Sequence, residues 1–124
     1  MMKRLLSDFY SIEEIRMADG KAIAEISINP AHSIFEGHFP DRPVVPGVCM
    51  MQMVKEISEE VLSCSLHIAL VQEMKFLAII DPTKNSRVNI TLTMTKNGAY
   101  DQVVAGISAG ETIHFKFKGN FSRK

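Results

Sequence analysis

The chain has 124 residues, 46% of them apolar and 23% charged, and its 14 basic residues balance its 14 acidic ones. That composition suits one compact domain, 1–124, with a core of its own, and excludes a disordered chain. A net charge of zero gives no general affinity for nucleic acid or an anionic membrane, so neither is expected as a partner.

The start, Met1-Met2-Lys3-Arg4-Leu5-Leu6, is basic and then apolar, but Ser7 and Asp8 end the apolar run at once. That is too short for a signal peptide, and no stretch approaches the length of a membrane span. The two cysteines, Cys49 and Cys64, form no Cys-x-x-Cys pair and read as thiols of a reducing compartment. The expectation is a cytoplasmic protein without a metal or other cofactor.

Phe9 to Met17 predicts a first strand, closed by Ala18-Asp19-Gly20, where Asp-Gly favours a tight hairpin. The next strand alternates, with Ala22, Ala24, Ile26 and Ile28 on one face and Lys21, Glu25 and Ser27 on the other. Residues 31–47 are irregular and rich in Pro and Gly. From Pro46 or Gly47 to Leu62 the apolar spacing becomes helical. Its first half reads as buried, and its second half, crowded with Lys55, Glu56, Glu59 and Glu60, as solvated.

Four strand-like segments follow. Leu66 to Ile80 is mixed in pattern and broken by Asp81-Pro82, and Arg87 to Thr95 alternates strictly before the hairpin signal Asn97-Gly98. Tyr100 to Ser108 leads to a turn at Ala109-Gly110. Thr112 to Phe121 sets Ile113, Phe115, Phe117 and Phe121 against His114, Lys116, Lys118 and Asn120. Antiparallel strands with one apolar face must cover it, and one long helix is available. The expected architecture is α+β, a curled antiparallel sheet wrapped around a central helix.

The run with chemical content is Phe35-Glu36-Gly37-His38-Phe39-Pro40-Asp41-Arg42-Pro43-Val44-Val45-Pro46-Gly47-Val48. Its prolines and glycines fix a loop that holds one histidine just before a buried helix. Pro46 suits the first helical position. The free amides of Gly47 and Val48 then face outward on the positive end of the helix dipole, an arrangement able to stabilise an oxyanion or a thioester enolate.

The string GHFPDRPVVPGV resembles the Gly-His-Phe-Pro-x-x-Pro-x-x-Pro-Gly-Val signature of the bacterial 3-hydroxyacyl-acyl-carrier-protein dehydratases. Met74-Lys75-Phe76-Leu77 with Asp81-Pro82 resembles the family's strand after the central helix. The resemblance implies a hot-dog fold. It also implies dehydration of a 3-hydroxyacyl thioester, carried on acyl carrier protein or coenzyme A, to the trans-2-enoyl thioester in fatty-acid-type or polyene lipid synthesis. His38 then corresponds to the base that removes the proton beside the thioester carbonyl. The Gly47 amide binds the carbonyl oxygen, and the Val44 carbonyl orients the imidazole. Gly37, Phe39, Val44, Val48 and Met51 form the expected substrate-binding set. Family members join two sheets across a homodimer, or a higher oligomer of dimers, with His38 of one subunit facing position 52 of the other.

Two departures stand out. The family's acid, a Glu or Asp fourteen residues after the histidine, is here Gln52, whose amide donates a hydrogen bond but delivers no proton at neutral pH. Glu36 and Glu56 are the nearby carboxyls, and neither is expected to replace it. The family's Pro-His-Arg-Tyr-Pro-Phe-like lead-in is also missing. Gln52 therefore keeps two alternatives open: a hot-dog thioesterase in which it positions water, and a non-catalytic acyl-thioester-binding subunit.

Elsewhere, His32, His67 and His114 are expected at the surface or site rim, and Cys49 as a small buried hydrophobe. Met50, Met51 and Met53 fit the core and also a flexible acyl-pocket wall. Lys116, Lys118, Arg123 and Lys124 read as a solvated face, with the acidic helix of a carrier protein as the alternative reading.

Overall fold

Alternating sequence produces six strands, β1 (Tyr10–Ala18), β2 (Lys21–Ile28), β3 (Leu66–Phe76), β4 (Arg87–Asn97), β5 (Tyr100–Ala109) and β6 (Thr112–Arg123). They pair antiparallel in the order β1-β2-β4-β5-β6-β3. The structure, a computed structural model, describes residues 8–36 and 43–124. Helix α1 (Gly47–Leu62) is the long helix, and a single 3-10 turn at Ser33–Phe35 precedes it. The sheet curls around α1, as expected for a hot-dog fold.

Turn chemistry sets the register. Asp19 and Gly20 both have positive φ, 53° and 74°, so Ala18 pairs with Lys21 across a two-residue loop. The next two hairpins work differently. Asn97 remains in β4 and pairs with Tyr100, which places Gly98 (φ 61°) at the first turn position. Ala109 likewise pairs with Thr112 around Gly110 (φ 60°). Glycine, with no Cβ, takes that conformation at no steric cost.

The inner sheet face carries Ala24, Ile26, Ile90, Leu92, Val103, Ile107, Phe115, Phe117 and Phe121, all buried, and α1 lays Met53, Val54 and Ile57 into the same core. The helix stops where Ser63 turns left-handed (φ 54°, ψ 42°) and donates its N–H to the Glu59 carbonyl. The Glu59 carboxylate then takes the Leu66 N–H at 2.8 Å, tying the helix end to the start of β3.

The structure corrects two expectations. The second half of α1 is not uniformly solvated, because Glu56 and Ser58 are fully buried. In β6 the alternation breaks at a register shift opposite Ile107/Ser108, so Ile113 faces solvent while His114 turns inward. One extra residue in a strand reverses which side chains face the core.

Gly119 is where β6 admits no side chain. A Cβ there falls 2.6 Å from the Leu70 carbonyl oxygen and 2.7 Å from the Phe117 ring. The carbonyl belongs to the paired β3 backbone and cannot yield. Gly119→Ala is expected to lower stability by about 1–3 kcal/mol, read as a lower urea midpoint at unchanged slope.

Candidate functional site

Pro46 is the N-cap of α1 (φ −62°, ψ 147°) rather than its first helical residue, and no side chain caps this end. Its carbonyl accepts from Cys49 at 3.0 Å and Met50 at 3.2 Å. The amides of Gly47 and Val48 thus precede the first intrahelical bond and point out along the positive end of the dipole.

The helix start is held from the sheet side. Val45 donates its N–H to the Ile80 carbonyl at 2.9 Å. The segment carrying Ile80 is in turn pinned to the β6 bulge, where the His114 carbonyl accepts from Leu77 (2.9 Å) and Ala78 (3.3 Å). The His114 ring returns to the Ala78 carbonyl through Nδ1 at 3.2 Å. His114 is therefore buried structure, not a rim residue. An apolar pocket of about 420 Å³ opens beside this junction, lined by Val45, Gly47, Met50, Phe76, Leu77, Ala78 and Ile79. The Phe76 ring lies over Gly47 and packs on Phe115 with centroids 5.1 Å apart.

One helical turn beyond Val48, Gln52 is half-buried. Its Nε2 donates to Glu56 Oε2 at 2.8 Å, and the Tyr10 hydroxyl donates to Glu56 Oε1 at 3.0 Å. Glu56 is 1% exposed and Tyr10 3%, so an amide at the open side of the helix leads directly to a buried carboxyl.

Of the expected site residues, Gly37, His38 and Phe39 lie outside the described residues. Val44 is half-buried just before the helix, Gly47 sits under Phe76, and Val48 is 75% exposed. Met51 is buried among the core residues. Cys49 is buried as expected, and burial pushes its thiol pKa up, away from reactivity. His32 accepts the Ile34 N–H and contacts the Asp8 carboxylate, which makes it a turn cap. His67 is exposed. Lys116 and Lys118 are exposed, whereas Arg123 is drawn onto buried Asp101 at 3.0 and 3.2 Å and holds that carboxyl below its usual range.

Sequence reasoning missed Tyr10, Phe76, Ile80 and His114 as parts of this region. The four-residue spacing of Gln52 and Glu56 was a readable signal for that contact. The Tyr10 contact spans 46 positions and left no local trace. Among the described residues no helix is long and apolar enough to cross a membrane.

Comparison with known proteins gives a consistent picture. The ApeI-like family, described as ApeI dehydratase, matches residues 14–112. The chain is 34% identical over 67 residues to the 3-hydroxyacyl-[acyl-carrier-protein] dehydratase FabZ of Pasteurella multocida, a match covering 54% of this chain and 42% of that protein. It is 25% identical over 112 residues to the FabZ of Geobacter metallireducens, covering 82% and 73%. The chain thus spans less than half the length of the first of these relatives. Among solved structures, the dehydratase heterocomplex ApeI:P from Xenorhabdus doucetiae superposes with a TM-score of 0.72 at 17% identity, over 98% of this chain and 100% of that one. At that identity the likeness speaks for the fold.

Gly47 offers a contrast to Gly119. A Cβ at Gly47 falls 2.7 Å from the tip of the Phe76 ring, but this ring is 52% exposed and free to swing outward. Gly47→Ala is expected to cost about 1 kcal/mol in urea unfolding, and loss of the Phe76–Phe115 ring contact should be detectable by NMR.

Proposed function

The chain belongs to the ApeI-like dehydratase family, and from that premise we propose that it dehydrates a 3-hydroxyacyl thioester, carried on acyl carrier protein, to the trans-2-enoyl thioester in lipid-type biosynthesis. The observation that carries this reading is the Gly-His-Phe-Pro loop sequence leading into a helix whose first two amides open beside an apolar pocket. In this reading the pocket takes the acyl chain, and the Gly47 amide, with Val48 beside it, meets the thioester carbonyl oxygen where enolate charge develops. His38 removes the α-proton, and the Val44 carbonyl takes its other N–H. Gly37, Phe39 and Met51 complete the walls, and Gln52 contacts the 3-hydroxyl.

Elimination needs a proton for the departing hydroxyl, and an amide at position 52 supplies none. General acid catalysis contributes on the order of 10²–10⁴-fold. Gln52→Glu is therefore expected to raise dehydration of 3-hydroxybutyryl thioester, since it sets a proton-carrying carboxyl where the departing hydroxyl needs one. His38→Ala should abolish turnover. Release of free thiol by the wild type, with dehydration unchanged in Gln52→Glu, replaces the lyase with a thioesterase. Neither reaction leaves a binding subunit.

The same reading makes the protein a cytoplasmic homodimer. Among the described residues β3 closes one edge of the sheet and pairs only with β6, and it exposes Ile68 (41%), Leu70 (53%), Val71 (40%) and Met74 (42%). Ile68, Val71 and Met74 share the face of Phe117 and Phe121, while Leu70 lies on the other face with His67, Glu73 and Lys75. An edge strand with this much exposed apolar surface is a template for another strand. Light scattering should give twice the 13.9 kDa chain mass, and Leu70→Glu should halve it. A stable wild-type monomer at micromolar concentration overturns the homodimer and favours pairing with a different chain.

A further inference from the structure

The Gln52–Glu56–Tyr10 chain carries an inference about how position 52 is used, and it rests on the dehydratase reading of the site. We propose that Glu56 is a positioning residue: its buried carboxyl fixes the Gln52 amide so that the outward edge of that amide recognises the substrate's 3-hydroxyl.

The geometry supports this in three steps. Glu56 Oε2 accepts from Gln52 Nε2 at 2.8 Å, which assigns the amide with its nitrogen toward the carboxyl. Oε1 of Gln52 and the second N–H are then left for the open side of the helix, one acceptor and one donor on a single planar group. A hydroxyl both donates and accepts, so it matches such an edge, whereas a methylene at the same place leaves both groups unsatisfied.

The second step is rigidity. A free glutamine side chain turns its amide over with ease, but Glu56 is 1% exposed and its other oxygen accepts from the Tyr10 hydroxyl at 3.0 Å. Tyr10 begins β1, so the carboxyl is clamped between helix and sheet and cannot follow Gln52 if the amide turns. The third step is placement. Glu56 is too deeply buried to touch substrate itself, while Gln52 is half-buried and lies on the helix face shared with exposed Val48. Glu56 thus acts through Gln52.

The test compares binding of two probes, the 3-hydroxyhexanoyl and hexanoyl amides of aminopantetheine. Replacing sulfur by NH makes the α-proton less acidic and stalls elimination. By calorimetry the full-length wild type should bind the hydroxylated probe roughly 3- to 10-fold more tightly, the effect of one or two net hydrogen bonds. Glu56→Gln, nearly isosteric, lets the amide at 52 turn and should erase that preference while leaving hexanoyl binding unchanged. A merely structural role for Glu56 would weaken both probes together. Gln52→Leu, at a half-buried position, should also erase the preference, and decides the matter if Glu56→Gln does not fold.

No preference in the wild type, or full preference in Glu56→Gln, overturns the proposal. Dehydratase turnover without hydroxyl preference leaves the enzyme and removes the positioning role. Preference without turnover keeps the Gln52–Glu56 pair as a recognition device and removes the lyase.

Discussion

Six strands present one apolar face, and among the described residues α1 is the one long helix able to cover it. This need for cover governs the rest. Burying Met53, Val54 and Ile57 against the sheet fixes the rotation of α1 about its axis. Every other residue then takes its place by the helical period. Val48 and Gln52 are left toward the open side, while Glu56, one turn further, is carried under the N-terminal strand to meet Tyr10. The polar chain therefore depends on the packing that sets this rotation, and a different choice of buried face would dismantle it.

The translation of the helix along its axis needs a separate anchor, because hydrophobic contact is not directional. That anchor is a relay of backbone bonds. The β6 bulge at His114 holds Leu77 and Ala78, and the same segment holds Val45 through Ile80, one residue before the N-cap. Directional bonds at one end and apolar packing along the length together set where the free amides of Gly47 and Val48 stand. An irregularity in a distant strand thus acts on the position of the helix start.

Much of this was legible in the sequence wherever a short-range rule applied. The alternation of β2 and β4, the Asp19-Gly20 hairpin and the span of α1 follow from spacing two, spacing 3.6 and turn chemistry, and all appear with bounds within a residue or two. The fold class also followed from counting faces against covers. What stayed hidden depended on partners far away in sequence. Alternation places His114 on the solvent face, and the bulge that turns it inward has no mark in the sequence. Charge usually marks a wet face, which places Glu56 in solvent by sequence, whereas a tyrosine 46 positions away meets its carboxyl in the core. β3 reads as mixed because two register shifts, between Ile68 and Leu70 and between Val71 and Glu73, break its alternation, and as an edge strand it is exposed on both faces. The loop of Gly37, His38 and Phe39 was identified by resemblance and lies outside the described residues.

Packing alone does not explain why a carboxyl occupies position 56. Leucine or methionine there would fill the volume beside Tyr10 and Ile57 and need no hydrogen bonds. Burying a carboxyl instead costs several kcal/mol unless its oxygens are satisfied. The fold offsets that cost with the Tyr10 hydroxyl and with the amide of Gln52, which is the one member of the chain that is not fully buried. A purely structural solution would have satisfied the carboxyl from within the core. Drawing one of its partners from the open side of the helix ties a buried group to a half-buried side chain. Removing the carboxyl would take this acceptor from the Gln52 amide and from the Tyr10 phenol, and of the two the amide lies nearer the open side of the helix. The pair thus joins a deeply buried tyrosine on the first strand to a half-buried amide on the helix through one carboxyl.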